Sequence, residues 1–520
     1  MKLTLEELEK IGALEELRFI NRGIEKESLR VSNAGKISKK THPKNLGSAL
    51  TNPYITTDFS ESLLELITPT FNDAQSCLNF LEDIHAFVYK NLEDEVLWPC
   101  SMPCPIESEE EIPIGNYGQS NSGMIKTVYR RGLSNRYGSM MQAIAGIHYN
   151  FSFSDNFFEL LSESADKRNH KELKNEIYLH IARNFKRYGW LYFLLFGASP
   201  AACNTFVGKR EHDLSEHPSG GLYKENSTSL RMGDLGYISK AQDDLDISYN
   251  SLDEYCSGLK NALNTTYDEY QKIGEHKEGN RIQLNTSVIQ IENEYYSTIR
   301  PKRVCPSGER PINVLKSEGI DYLELRCVDL DPFSPIGIER EQIDFMDSFI
   351  LFCLLEESPE INKAELENIK ITHDLIVNRG REVNKEIVFN GQAMSILESS
   401  NWILSKVKSV ASTAGEVIFK NNKENKWEIA LDSQIKKLTD LSLTPSKRIL
   451  DDMDTEKKSF KDFGTELSLQ HSHYFKGRKN NSDKLFLEAA KKSISDQAAI
   501  ESSEEVDFET FLKGFLNQTA

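Results

Sequence analysis

Four short stretches of this sequence alternate with a period of two and gather charge on one side. Between Gly23 and Val31, Glu25 and Glu27 point the same way. Between Ala145 and Phe151, His148 and Asn150 share a face while Ile147, Tyr149 and Phe151 take the other. Between Ile320 and Val328, Glu324 and Arg326 lie with Tyr322, opposite Leu323 and Leu325. Between Thr57 and Ile67 stand Asp58 and Glu65, the latter inside an apolar run. Any one of these alone reads as the solvated face of a sheet. Together they read differently, because an unpaired carboxylate inside an apolar strand is costly and crowded acids repel unless cations sit between them. Carboxylates with one imidazole are ligands for Mg²⁺ or Mn²⁺ rather than for a structural zinc.

Counter-charges accompany the acids. Arg300, Lys302 and Arg303 form a basic cluster beside an expected strand over Ile289–Tyr296, and Arg231, Arg326 and the Arg130–Arg131 pair stand elsewhere. Guanidinium groups grip carboxylates and phosphates through paired hydrogen bonds, although a basic cluster also reads as solvated surface. Metals with arginines point to phosphoryl transfer, where catalysis is positioning and charge neutralisation. The chain has neither GxxxxGK[ST] nor GxGxxG, so a nucleotide would bind on a sheet surface through metals. No GxSxG elbow accompanies the histidines, and Cys104 reads as an inert buried thiol.

The elements that must carry these residues are those of an ordinary globular chain. Its 520 residues are 39% hydrophobic and 27% charged, with net charge −18, which argues against a nucleic-acid or anionic-membrane partner. No apolar stretch approaches the roughly 20 residues of a membrane span. The N-terminus reads as an amphipathic helix with a Thr4–Glu7 capping box, not a signal peptide. Eight scattered cysteines without CxxC spacing read as reduced thiols, which places the protein in the cytoplasm. A long helix is expected over Ile177–Phe196. After residue 345 the pattern is almost wholly helical, with helices over Ile343–Leu355, Gln392–Val410 and Val506–Leu516. No linker intervenes, so residues 1–345 read as a catalytic part and 346–520 as helices packed on the same unit.

The same segments resemble the proteobacterial glutamate–cysteine ligases. The resemblance rests on RGIEKESLRV from Arg22, ITTDFSESLLELITP from Ile55, GIHYNFS from Gly146, TSLRMGDLGY from Thr228, QIENEYYSTIRPKR from Gln290 and DYLELRCVDLDPFSPIG from Asp321. It implies an α+β fold like that of glutamine synthetase, a curved, largely antiparallel sheet forming a metal-lined funnel among helices. It also implies that Glu25, Glu27, Asp58, Glu65, His148 and Glu324 hold Mg²⁺, with Mn²⁺ as the alternative, beneath ATP. Arg130, Arg231 and Arg326 would grip the transferring phosphate. Tyr129, Tyr237 and Tyr296 would form a pocket for cysteine, Gln142 would place glutamate, Arg300, Lys302 and Arg303 would serve ATP, and Asn150 would be a secondary contact. The reaction implied joins L-glutamate to L-cysteine through γ-glutamyl phosphate, in a monomer and as the first step of glutathione synthesis. Another γ-glutamyl–amine ligase, or an acidic scaffold that binds divalent cations without catalysis, remains open from the residues.

Overall fold

A computed structural model describes residues 3–164, 169–236, 240–243, 245–306, 308–420 and 424–518. At its centre is a seven-stranded sheet: β1 (Asn21–Ser32), β2 (Ile55–Thr57), β3 (Leu63–Ile67), β4 (Glu95–Leu97), β5 (Ile147–Ser152), β6 (Ile299–Lys302) and β7 (Tyr322–Val328). The strand order is β6-β7-β5-β1-β3-β2, with β4 on the far end of β1, and every pairing is antiparallel. Twelve residues let β1 serve three partners: β5 along its first half, β3 in the middle, β4 at its end.

One face of this sheet is apolar. Ile24, Tyr149, Phe151, Leu323, Leu325, Leu64 and Leu66 are all buried there. Against it and around it pack α1 (Leu5–Lys10), α2 (Ala74–Asn91), α3 (Asn121–Tyr137), α4 (His170–Tyr188), α5 (Trp190–Phe196), α6 (Arg340–Leu355) and α7 (Lys363–Arg379), followed by α8 (Ile396–Ile418), α9 (Lys426–Thr439), α10 (Phe460–Gly477), α11 (Asp483–Ser502) and α12 (Phe508–Asn517). The helix α6 lies between the sheet-side helices α2 and α4 and the outer pair α8 and α9. Its Asp347 reaches the sheet, accepting hydrogen bonds from Arg22 (2.6 and 2.8 Å) and from the Tyr149 hydroxyl (2.7 Å). Among the described residues no helix is long and apolar enough to cross a membrane.

The Thr4–Glu7 capping box is present, with Glu7 N donating to Thr4 Oγ1 at 3.2 Å and Thr4 N to Glu7 Oε2 at 2.9 Å. Three other expectations give way. The run Ile177–Phe196 is two helices, α4 and α5, because the chain breaks at Gly189, where a Cβ would lie 2.4 Å from the Phe185 carbonyl oxygen. The stretch Ile289–Tyr296 is not a strand. It holds one short 3₁₀ turn, Glu292–Glu294, whose two acids are buried in ion pairs with Arg310 (2.9 Å) and Arg136 (2.9 Å). The C-terminal part contains a hairpin, β8 (Glu386–Phe389) and β9 (Gln392–Ser395), so the helix expected from Gln392 starts at Ile396.

The acidic C-terminus has a structural task. Glu501 Oε1 accepts from Gln119 N at 2.9 Å, Glu504 accepts from Asn121 N, and Asn121 Nδ2 donates to the Val506 carbonyl at 3.0 Å. Carboxylates here satisfy the free N–H groups and the positive dipole end of α3. Leu512 of α12 then packs with Val128 of α3 and Leu284. Replacing Glu501 and Glu504 together by alanine should cost about 1–2 kcal/mol. Faster amide exchange at residues 119–123 is the expected reading, with exposed Glu505→Ala as an unaffected control; equal protection in both variants contradicts it.

Candidate active site

Antiparallel register settles which side chains meet, because directly opposed residues share a face. Glu25 lies opposite His148, Glu27 opposite Glu65, and Glu324 between Asn150 on one side and Arg300 on the other. Five strands thus contribute to one polar face on the side of the sheet away from the apolar layer. A register irregularity in β7 between Leu325 and Val328 loosens its pairing with β5 where Arg326 emerges.

The acids and the histidine converge. Ligand atoms of Glu25, Glu65 and His148 lie within 4.8 Å of one another. His148 Nδ1 is 2.9 Å from Glu25 Oε2, and its Nε2 is 3.9 Å from Glu27 Oε1. With Glu25 ionised, the shared proton sits on Nδ1, so the Nε2 lone pair faces the acids. Asn150 Nδ2 donates to Glu25 Oε1 at 3.0 Å, and Gly146 N donates to Glu27 Oε2 at 2.7 Å. Glu324 is flanked by Lys302 Nζ at 3.3 Å and Arg326 Nη1 at 3.1 Å. Asp58 closes the corner next to Glu27 and Glu65, and its carbonyl accepts from Arg130 Nε.

The electrostatics divide the carboxylates into two kinds. Burial pushes Glu65 well above the usual range, and the charges of Glu25, Asp58 and Glu27 push it further. Burial, then the charge of Asp58, raises Glu27 to about 8. Burial also works to raise Glu324, but Lys302 and Arg326 outweigh it and hold it well below the usual range. At Glu25 burial is likewise overcome, by the hydrogen bond and charge of His148. Burial and then Arg326 lower His148, keeping it neutral near pH 7. Acids held at high pKa by burial and then by mutual repulsion are a site short of positive charge. Oxygen donors plus one imidazole nitrogen suit a hard divalent cation, so the donor set fits Mg²⁺ or Mn²⁺.

The other sequence-derived residues fall around this cluster. Arg231 is buried, with Nη2 donating to the Arg326 carbonyl at 2.8 Å and Nη1 3.5 Å from Asp329. Gly146 makes room for it, since a Cβ there would sit 2.1 Å from Arg231 Nη2. Arg300 is buried and donates to the Asn293 carbonyl at 3.1 Å. Gln142 Nε2 is 3.4 Å from the Tyr296 hydroxyl, and half-buried Tyr129 sits close enough for the charges of Glu294, Tyr296 and Arg130 to act on it. Tyr237 lies outside the described residues. Arg303 stands apart from the acids: it follows the last residue of β6 and binds the Gly319 carbonyl (2.6 Å), Glu318 (3.1 Å) and Asp321 (2.9 Å). A cavity of about 730 Å³ is lined by His148, Arg231, Arg326 and Tyr296, and continues between α5 and α7 past Trp190 and His373.

Sequence reasoning passed over Tyr117 and Lys126. Tyr117 lies under the Arg130 guanidinium, 4.4 Å from ring centroid to Cζ, with Lys126 Nζ at 5.3 Å from the same centroid. The available signal was the spacing: Lys126 and Arg130 are four apart on one face of α3.

Proteins of known identity resemble this chain along most of its length. A family model described as glutamate–cysteine ligase matches residues 5–376. The chain is 43% identical over 509 residues to the glutamate–cysteine ligase of Alcanivorax borkumensis, covering 96% of each chain. It is also 43% identical to that of Pseudomonas fluorescens, covering 95% of this chain and 92% of the relative. Among solved structures, the glutamate–cysteine ligase of Francisella tularensis in complex with AMP superposes with a TM-score of 0.89 at 32% identity, covering 96% of this chain and 98% of the other. A bifunctional glutathione synthetase of Pasteurella multocida shares the fold, with a TM-score of 0.70 at 24% identity over 95% of this chain and 58% of that one. The chain is therefore a ligase, a member of the glutamate–cysteine ligase family.

Proposed function

We propose that this enzyme joins the γ-carboxyl of L-glutamate to the amine of L-cysteine at the expense of ATP, through γ-glutamyl phosphate. The observation that carries the proposal is the register that brings Glu25, Glu27, Glu65, His148 and Glu324 onto one face, with Lys302, Arg326 and Arg130 around them. Glu25, Glu27, Asp58, Glu65, His148 and Glu324 would hold Mg²⁺, which supplies Lewis-acid neutralisation of phosphate oxygens when bound. The AMP complex of the Francisella relative supports an adenine nucleotide as a ligand of the enzyme.

The residues of the chain do the rest. Arg130, Arg326 and Lys302 offer cationic donors to the phosphoryl group while a γ-carboxylate oxygen attacks its phosphorus and ADP leaves. Arg231, fixed to the Arg326 carbonyl, holds that strand and its guanidinium at the boundary between the acids and the cavity. Tyr129, Tyr296 and Gln142 enclose the amino acids, so that the cysteine nitrogen, once deprotonated, attacks the acyl carbon and phosphate departs. Under this proposal residues 1–345 form the catalytic part and 346–520 helices packed on it; the bonds of Asp347 to Arg22 and Tyr149 support the packing, while the boundary at residue 345 falls inside α6.

The test is a product assay with glutamate, cysteine and Mg-ATP. γ-Glutamylcysteine, ADP and phosphate in equal amounts are expected. ADP release with ammonia or another amine in place of cysteine, at equal or higher rate, overturns the acceptor assignment. Nucleotide binding without turnover overturns the reaction.

A pH effect follows from Glu27. Its folded-state pKa of about 8 exceeds the unfolded value, so it is protonated in the fold and ionised in the unfolded chain between those limits. Its contribution to stability therefore falls as pH rises from about 4.5 to about 8. A cation at the site replaces that proton, so the stabilisation by Mg²⁺ grows over the same window. The Mg²⁺-induced rise in thermal midpoint is expected to be larger at pH 8 than at pH 6.5, and this difference should shrink in Glu27→Gln. An equal rise at both pH values contradicts it.

A further inference from the structure

The cations of the candidate site fall into two groups. Lys302 and Arg326 are paired with Glu324, Arg231 with Asp329, and Arg303 with Glu318 and Asp321. Three are not paired in this way: buried Arg300, which donates to the Asn293 carbonyl, and, at the other side of the acids, Arg130 and Lys126. Arg130 donates to two carbonyl oxygens, those of Asp58 and Lys126, and among the described residues no carboxylate lies within ion-pairing distance of either Arg130 or Lys126. Both nevertheless crowd one aromatic ring. Tyr117 is buried, its hydroxyl donating to the Thr57 (2.8 Å) and Asp58 (2.7 Å) carbonyls, so the ring is fixed to the corner of the sheet where Asp58 and Glu65 meet.

Two like charges on one ring repel; Glu65 is near enough for its charge to act on both, but it makes an ion pair with neither. Cation–π attraction to a tyrosine is worth only about 0.5–2 kcal/mol, which holds the cations in place but does not explain why there are two. An arrangement of this kind is suited to an anion that arrives from solution. Lys126 is exposed, so its ammonium can meet such an anion without the helix moving. The fold also secures the helix: α3 is capped by Ser120 and by Glu501 and Glu504, and braced by Leu512 through Val128.

We infer that Lys126 is a catalytic residue, which together with Arg130 and on the Tyr117 ring binds oxygens of the phosphoryl group transferred from the nucleotide. The inference rests on the ligase reading above and adds to it a specific contact. A phosphoryl group fits better than an amino-acid carboxylate. It presents three peripheral oxygens, enough for a guanidinium, an ammonium and a cation shared with Asp58 and Glu65 at once. The amino acids have candidate partners elsewhere, around Gln142 and Tyr296.

The test uses the full-length enzyme with Lys126→Met and Lys126→Arg, varying ATP, glutamate and cysteine in turn at saturating Mg²⁺. A charge-assisted contact made in the transition state predicts that Lys126→Met lowers kcat/KM for ATP by about 10- to 100-fold. The KM values for glutamate and cysteine should stay within about twofold, the thermal midpoint should not move, and Lys126→Arg should recover most of the loss. Wild-type kcat/KM for ATP in Lys126→Met, a loss that appears only in the KM for glutamate, or no recovery with arginine overturns the assignment. Glu324→Gln assayed alongside separates the two levels. If it is crippled while Lys126→Met is not, only the Lys126 contact fails; if both are fully active, the reading of the site itself fails.

Discussion

Glu324→Gln is expected to lower kcat by about a thousandfold while leaving the protein folded, the scale at which loss of a preorganised charge in a water-poor site is felt. Glu324 is the acid most committed to ionisation, held so by Lys302 and Arg326 against the effect of burial. A neutral amide keeps the shape but removes a ligand charge and leaves two cations without their counterpart. Those cations would then bind the departing and arriving anions too tightly or in the wrong place. The Mg²⁺ concentration for half-maximal activity should rise at least tenfold in the same variant. Near-normal turnover with an unchanged Mg²⁺ requirement contradicts the role given to Glu324.

The second large effect is on stability. Asp347→Ala removes the shared acceptor of Arg22 and Tyr149 between α6 and the sheet and leaves the Arg22 guanidinium buried without its carboxylate. Breaking a buried pair from one side costs about 3–5 kcal/mol, a large part of the 5–15 kcal/mol that holds a typical domain. Asp347→Asn keeps the acceptor oxygen and should cost less than half as much. Denaturant midpoints of the two variants read the difference directly. A loss below about 1 kcal/mol for Asp347→Ala would show that the helical C-terminal part is joined to the sheet by other contacts.

How much of this was legible in the sequence depends on what kind of neighbour each residue has. Glu25 with Glu27, His148 with Asn150, and Glu324 with Arg326 each sit two apart on one strand, and a period of two is visible in a single line of sequence. That these three strands and β3 lie side by side was not visible from the residues, because register is a tertiary property. The resemblance supplied it, and the pairings of Glu25 with His148 and Glu27 with Glu65 bear it out. Alternation misled at Glu292 and Glu294, where the charged positions face Arg310 and Arg136 rather than water, so a 3₁₀ turn imitates a strand. The hairpin near residue 390 had a readable signal, Asn390-Gly391, both with positive φ as a tight turn between strands requires. Helical composition after it obscured that signal. For Lys126 the sequence offered only its spacing, four residues before Arg130 on α3; its significance comes from Tyr117, nine residues away on a loop that folds under α3.

The central claim is that dispersed acids share divalent cations on one sheet face, and the most direct test is diffraction from crystals grown with Mn²⁺ and a non-hydrolysable ATP analogue. Anomalous peaks between Glu25, Glu65, His148 and Glu324, with the nucleotide phosphates beside them, are the result this account predicts. Manganese bound elsewhere, or a nucleotide seated away from these four side chains, would contradict it.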